Sequence, residues 1–179
     1  MNTSTQQSKT PTESTEPAGH PSAATLYLVC GKIAAGKSTL TASLARQPKT
    51  LLLSEDDWLA ALYPGEIASL ADYVRCTGRL RGVMGRHIEN LLRAGNSVVL
   101  DFPANTRASR QWMKSIFENA NAAHLLYCLD VSDAECKRRL RQRNEAGAHQ
   151  FSTSDAEFDA ITAYFVAPSD DEGFTIVRA

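Results

Sequence analysis

Leu28 to Leu40 reads LVCGKIAAGKSTL: an apolar run, two glycines enclosing four residues, a Lys-Ser pair, then a helix-forming stretch. A short apolar run of this kind is a buried strand. Gly31 and Gly36 let the chain turn back with its N–H groups pointing inward. The helix that follows adds its own unpaired N–H groups and the positive end of its dipole. The spacing G-x-x-x-x-G-K-[ST] therefore makes a nest for a phosphate chain, and it does so only as the turn between a strand and a helix. The chain must begin its fold with that unit.

The remaining sequence keeps the same alternation. Strands are predicted at Thr25 to Cys30, Thr50 to Ser54, Ser97 to Asp101, Ala123 to Asp130 and Phe174 to Val177. Helices are predicted from Lys37 to Arg46, Asp56 to Tyr63, Thr106 to Asn119, Ser132 to Arg143 and Ser154 to Phe165. Between the second and third strands, Leu80, Val83, Met84, His87, Ile88, Leu91 and Leu92 recur at helical steps, and Gly95 closes that helix. The strands are apolar on both faces, which requires a parallel sheet covered by helices on both sides. In such an α/β sheet ligands bind at the carboxyl ends of the strands. The loop after Cys30, the acidic cluster after Ser54 and Asp101 then meet at one edge.

The 179 residues carry 19 Lys and Arg against 20 Asp and Glu, a balance that disfavours a general nucleic-acid coat. No apolar run reaches the length of a membrane helix. Residues 1–24 are rich in Ser, Thr, Glu and Pro and lack the apolar centre of a secretory signal. They are expected to be a disordered tail before a single domain over 25–179, in a cytoplasmic protein. Cys30, Cys76, Cys128 and Cys136 form no metal-binding spacing and are expected to be reduced and buried.

Within the cradle, Gly31, Ala34, Ala35, Gly36, Lys37, Ser38 and Thr39 are the candidate nucleotide-binding residues. Lys37 can reach the β- and γ-phosphates, and the Ser38 hydroxyl suits a magnesium ion. Asp101, at the end of its strand, suits the second metal partner, although a strand-end carboxylate also caps turns. There is no N-K-x-D stretch of a guanine-nucleotide switch and no L-S-G-G signature of a transporter ATPase. Instead the second strand runs directly into LSEDDWLAALYP, where Asp56 also suits an N-cap. In the basic run KRRLRQR, Arg139 and Arg143 lie four apart and share one face.

The order strand–GKIAAGKST–helix–LLLSEDDW–helix–VVLDFPANTRASR–helix–strand–basic helix resembles the P-loop kinases of the polynucleotide-kinase-like group, AAA_33, whose relatives include zeta toxin, chloramphenicol phosphotransferase and gluconate kinase. The similarity runs from about Thr25 to the C-terminus. It implies a three-layer P-loop NTPase fold with a five-stranded parallel sheet in the order 2-3-1-4-5. It implies ATP and Mg2+, with a lid around residues 138–154. It also implies Asp56 as the general base, with Asp57 ranked second, Asp101 as the strand-end acid, and Arg139 and Arg143 as lid arginines. The acceptor would be a hydroxyl of a small molecule or of a nucleic-acid end, the latter only as substrate, in a monomer or small homo-oligomer. Members acting on nucleic-acid 5′-ends often carry Asp-Asp-aromatic-Arg; this chain has Leu59 in the arginine's place, which favours a small or neutral acceptor. A nucleotide-dependent regulator with little turnover and a toxin-type kinase of sugar nucleotides are the other readings.

Overall fold

The computed structural model describes residues 24–146 and 153–179. Five parallel strands form one sheet in the order β2-β3-β1-β4-β5. They are β1 (Thr25–Cys30), β2 (Thr50–Ser54), β3 (Ser97–Pro103), β4 (Ala123–Cys128) and β5 (Ile176–Arg178). The helices are α1 (Lys37–Leu44), α2 (Glu55–Leu62), α3 (Leu70–Arg93), α4 (Arg107–Ala120), α5 (Asp133–Glu145) and α6 (Asp155–Thr162). The fold class and strand order are those anticipated. The expected tail lies outside the described residues apart from Ala24, as do residues 147–152 of the expected lid.

β1 is the central strand because its apolar residues need cover on both faces. Leu26, Leu28, Val29 and Cys30 are fully buried, against Val98 to Leu100 of β3 and Leu126 of β4. The pairing of β1 with β3 slips after Leu28, so that Leu28 faces Leu100 but Val29 faces Pro103. Asp101 and Phe102 are thus left without a β1 partner, a local departure of β3 beside the cradle. β2 is less buried than its apolar sequence suggests. At the sheet edge, Leu51 and Leu52 stay exposed and only Leu53 is buried.

α3 differs from expectation at its start and on its face. It begins at Leu70, where Ser69 accepts the Asp72 N–H as N-cap. Its buried stripe is Cys76, Leu80, Met84, Ile88 and Leu92, steps of four that continue the expected stripe upstream. Val83 (72% exposed) and His87 fall on the solvent side. Gly95 ends the helix at φ +82°, with Gly95 N–H donating to Leu92 and Asn96 N–H to Leu91. β5 starts later than expected because the Thr175 N–H donates to His124 Nε2 (3.0 Å) while Phe174 packs on Phe117. β4 ends at Cys128, two residues early. Leu129 N–H donates to Cys30 at the edge of the cradle. No described helix is long and apolar enough to cross a membrane.

The segment before β5 is pinned to α4 by a buried ion pair. Arg110 is fully buried, and its Nε and Nη2 donate to both oxygens of Glu172 (2.7 and 2.9 Å). Its Nη1 donates to the carbonyls of Ala104 and Val166. The Arg110 guanidinium, followed by the Ser169 contacts, holds the Glu172 carboxyl below the usual range despite the opposing effect of burial. A depressed folded-state pKa means this stabilisation is present above the ordinary glutamate pKa and is lost as pH falls through the lower, folded-state value. Glu172→Gln leaves a buried guanidinium underpaired, at a cost of about 3 kcal/mol. Thermal unfolding at neutral pH should show Tm falling by roughly 6–12 °C. The gap to the parent should narrow in acid.

Candidate active site

The cradle spans the turn from β1 to α1. Gly31 sits at φ +153°, and a Cβ there would lie 3.1 Å from Leu129 Cβ and 3.2 Å from the Leu129 carbonyl. Gly36 sits at φ +104°. Ala34, a non-glycine residue, is also held in the left-handed region at φ +60°, a strained conformation of the kind found at ligand sites. Ala35 is buried, packed with Cys136, Leu140 and Phe158 of α5 and α6. Ser38 and Thr39 are exposed at the start of α1.

Lys37 folds across the loop. Its Nζ donates to the carbonyls of Gly31 and Lys32, both at 2.8 Å. Burial lowers its pKa, opposed chiefly by the negative charge of Asp101 and, further down, of Asp56. A half-buried cation whose hydrogen bonds among the described residues go to two carbonyls is available to a stronger anionic partner. Asp101 accepts from Thr41 Oγ1 (3.1 Å), and Thr41 also donates to the Ser38 carbonyl. Burial raises the Asp101 pKa; hydrogen bonds from Thr41 and Ser38 and the Lys37 charge pull it back, and Asp56 repels it. Ser38 and Asp101 thus face one another, a donor set of hydroxyl and carboxylate that suits a hard cation. Among the described residues no three His, Cys, Asp or Glu side chains gather as a metal cluster.

The acidic helix α2 is capped by Ser54, whose Oγ accepts the Asp57 N–H (3.2 Å). Asp56 is therefore not the N-cap, and its exposed carboxylate is not used for capping. Ser54 pairs with Asp101 in the sheet, so α2 begins beside Asp101, and the Asp56 charge bears on both Lys37 and Asp101. Leu59 is 4% exposed and belongs to the main core, so the position after Asp-Asp-aromatic cannot present a cation to an acceptor.

On α5, Arg139 reaches the cradle: Nη1 donates to the Ala35 carbonyl (3.3 Å) and Nε to Glu135 (2.7 Å). Its Nη1 is also the nearest atom to where a Gly36 Cβ would stand, at 3.9 Å. Arg143, one turn on, donates no hydrogen bond to the cradle. Its buried Nε has no partner among the described residues. The other cations of the run bind elsewhere: Lys137 to Asp159, Arg141 to Asp155 and Arg138 to Glu135. All four cysteines are free and buried, and burial beside Cys128 pushes the Cys30 thiol far up, away from thiolate chemistry.

Sequence reasoning missed four participants. Asn105 brackets the first cradle residue, accepting the Gly31 N–H and donating to the Gly31 carbonyl, both at 3.0 Å. Thr41 ties Asp101 to α1, a role its place one turn after Ser38 could have suggested. Glu55 is buried at 1% exposure, and Arg81 donates to it through Nε and Nη2 (3.2 and 3.0 Å). A lone glutamate and arginine 26 residues apart carry no such signal in sequence.

Several solved structures share this architecture. A protein of Chloroflexus aurantiacus J-10-fl designated a candidate kinase superposes with TM-score 0.69 at 20% identity, covering 88% of this chain and 85% of its own. Chaetomium thermophilum Kti12, in complex with ADP-AlF3, gives TM-score 0.62 at 13% identity, with 86% of this chain and 88% of that one covered. The Mycobacterium tuberculosis APS kinase CysC, in complex with AMPPNP and APS, gives 0.54 at 16% identity over 80% of this chain and 98% of that one. No curated protein matches the sequence. The model of one family, AAA_33, described as an AAA domain, matches residues 26–168. With the P-loop kinase fold, the positive-φ cradle and a match over most of its length, the chain belongs to the AAA_33 family.

Proposed function

We propose that this protein is an ATP-dependent phosphotransferase that moves the γ-phosphate of ATP to a hydroxyl acceptor. The observation that carries the reading is the placement of Asp56. A carboxylate free of capping duty stands two residues after Ser54, which pairs with Asp101 in the sheet, and its charge bears on Lys37 and Asp101. A phosphate sensor gains nothing from an exposed negative charge there, whereas transfer to an alcohol needs a group that accepts its proton.

The roles of the remaining residues follow from their positions. The N–H groups between Gly31 and Thr39 bind the phosphate chain, with Ala34 and Ala35 shaping the turn. Lys37 exchanges the Gly31 and Lys32 carbonyls for phosphate oxygens. Asp56 orients the acceptor hydroxyl and takes its proton. Arg139, from above Ala35, meets the transferring group, and Arg143 lies one turn behind it. Ser38 and Asp101 would hold a magnesium ion, which supplies charge neutralisation on the β- and γ-phosphates. Most of the rate gain comes from positioning and electrostatics. The burial of Leu59 supports a small alcohol rather than a phosphorylated polynucleotide as acceptor. The structural likeness to an APS kinase bound to AMPPNP supports a nucleotide in this cradle.

Calorimetry with AMPPNP and a turnover assay test the reading. Lys37→Ala should weaken binding at least tenfold or abolish turnover, since a charge-assisted contact to phosphate is lost. Unchanged affinity together with unchanged turnover would refute the assignment.

A further inference from the structure

The donor and acceptor sides of the cleft stand on different elements. The cradle follows β1, and Asp56 lies in the first turn of α2. In-line transfer demands a fixed distance between them, and an error of about 1 Å can cost on the order of 10²-fold in rate. One hydrogen-bonded chain spans the gap. Asn105 holds both the N–H and the carbonyl of Gly31. The next residue, Thr106, caps α4 and exchanges hydrogen bonds with Ser109 (2.9 and 3.1 Å). Ser109 Oγ accepts from Arg81 Nη1 (3.2 Å). The same guanidinium donates twice to Glu55, the residue before Asp56. Tyr73 Oη donates to the other Glu55 oxygen (2.8 Å), and the ring of Trp112 lies 5.3 Å from the Arg81 guanidinium carbon.

Arg81 is suited to this junction. Counted from the end of α3, it lies about 18 Å up the helix. That is close to the rise of about 17 Å from Ser97 to Phe102, one residue past Asp101 along β3. Its rigid fork reaches α2 and α4 at once, which a lysine cannot do. Stability alone does not call for a charge here, since a well-packed apolar pair commonly serves as well as a buried ion pair.

We propose that Arg81 is a positioning residue for phosphoryl transfer, linking Asp56 through Glu55 to the cradle through Ser109, Thr106 and Asn105. The proposal rests on the reading of Asp56 as the acceptor-side base. It does not require the identity of the acceptor, because water can take the hydroxyl's place during ATP hydrolysis.

The test uses Arg81→Lys and the paired Glu55→Gln/Arg81→Met, which leaves no unpaired buried charge. Each is made in the parent and in an Asp56→Asn background. Mg-ATP hydrolysis, AMPPNP affinity by calorimetry and thermal melting are measured on the full chain. Both variants should melt cooperatively and bind AMPPNP within about threefold of the parent, while kcat falls roughly 10–100-fold. In the Asp56→Asn background the same changes should cost less than about threefold, because the group they position is already gone. Equal losses in both backgrounds, undiminished kcat, or failure of both variants to fold would make the cluster merely structural and overturn the proposal. A parent chain that neither binds AMPPNP nor hydrolyses ATP would instead overturn the function on which the proposal rests. Harmless Asp56→Asn in an active parent would remove the base and the positioning role together.

Discussion

Asp56→Asn should leave the fold and nucleotide affinity intact and lower phosphoryl transfer by roughly 10²–10⁴-fold. The substitution keeps the side chain's size and one acceptor oxygen but removes the basic one. Loss of a helix cap does not complicate the result, because Ser54 caps α2. Asp56 also adds negative charge near Lys37 and Asp101, where phosphates would sit. Removing it should therefore hold AMPPNP affinity steady or tighten it, opposite to the loss expected of a residue that binds the nucleotide. Asp57→Asn should cost less, since the α2 charge named as bearing on the cradle lysine is that of Asp56. A reversed ranking in a rate assay would move the role to Asp57. Full activity in both variants would remove the mechanism.

Arg139→Ala should lower kcat by about 10²-fold or more and change KM for ATP little, as expected of an arginine that meets charge developing on the transferred group. In this structure the guanidinium rests between Glu135 and the Ala35 carbonyl. Arg138 and Arg139 together hold the Glu135 carboxyl down to about 2, so the pair stays ionised across the physiological range. The carbonyl contact is the weaker partner and the one a phosphate oxygen replaces. Arg143→Ala should show a smaller loss, because that side chain lies one turn farther along α5 and its Nε has no hydrogen-bond partner among the described residues. Melting should be unaffected in both, the arginines lying on a helix whose packing rests on Cys136 and Leu140. Steady-state kinetics with kcat unchanged in both variants would reduce α5 to a solvated face.

The cradle was legible in sequence because its requirement is a backbone one. Two residues must tolerate positive φ at a fixed spacing, and glycine declares that directly. The alternation of strands and helices was equally open, being written in short-range hydrophobic pattern. The strand order came from family resemblance, since nothing local distinguishes an edge strand such as β2 from a central one. Its exposed Leu51 and Leu52 show how an apolar run misleads there. The face of α3 was misjudged for a related reason: Val83 fits a helical stripe numerically, yet the true stripe of four-residue steps drifts past it. Asn105, Glu55 and Arg81 were hidden because their meaning lies in contacts with residues 26 to 74 positions away. Capping illustrates the competition between neighbours: Ser54 and Asp56 both suit an N-cap, and the extended backbone at Ser54 decides between them.

The central claim is transfer of phosphate from ATP to an alcohol. The most direct measurement incubates the full chain with magnesium and γ-labelled ATP alongside a panel of hydroxyl compounds: sugars, sugar acids, nucleosides, aromatic alcohols and 3′-phosphorylated oligonucleotides. The account predicts label carried onto a small alcohol by the parent chain, with Asp56→Asn and Lys37→Ala failing to transfer it. Label released only as inorganic phosphate whatever compound is present, or ATP bound and never turned over, would contradict it.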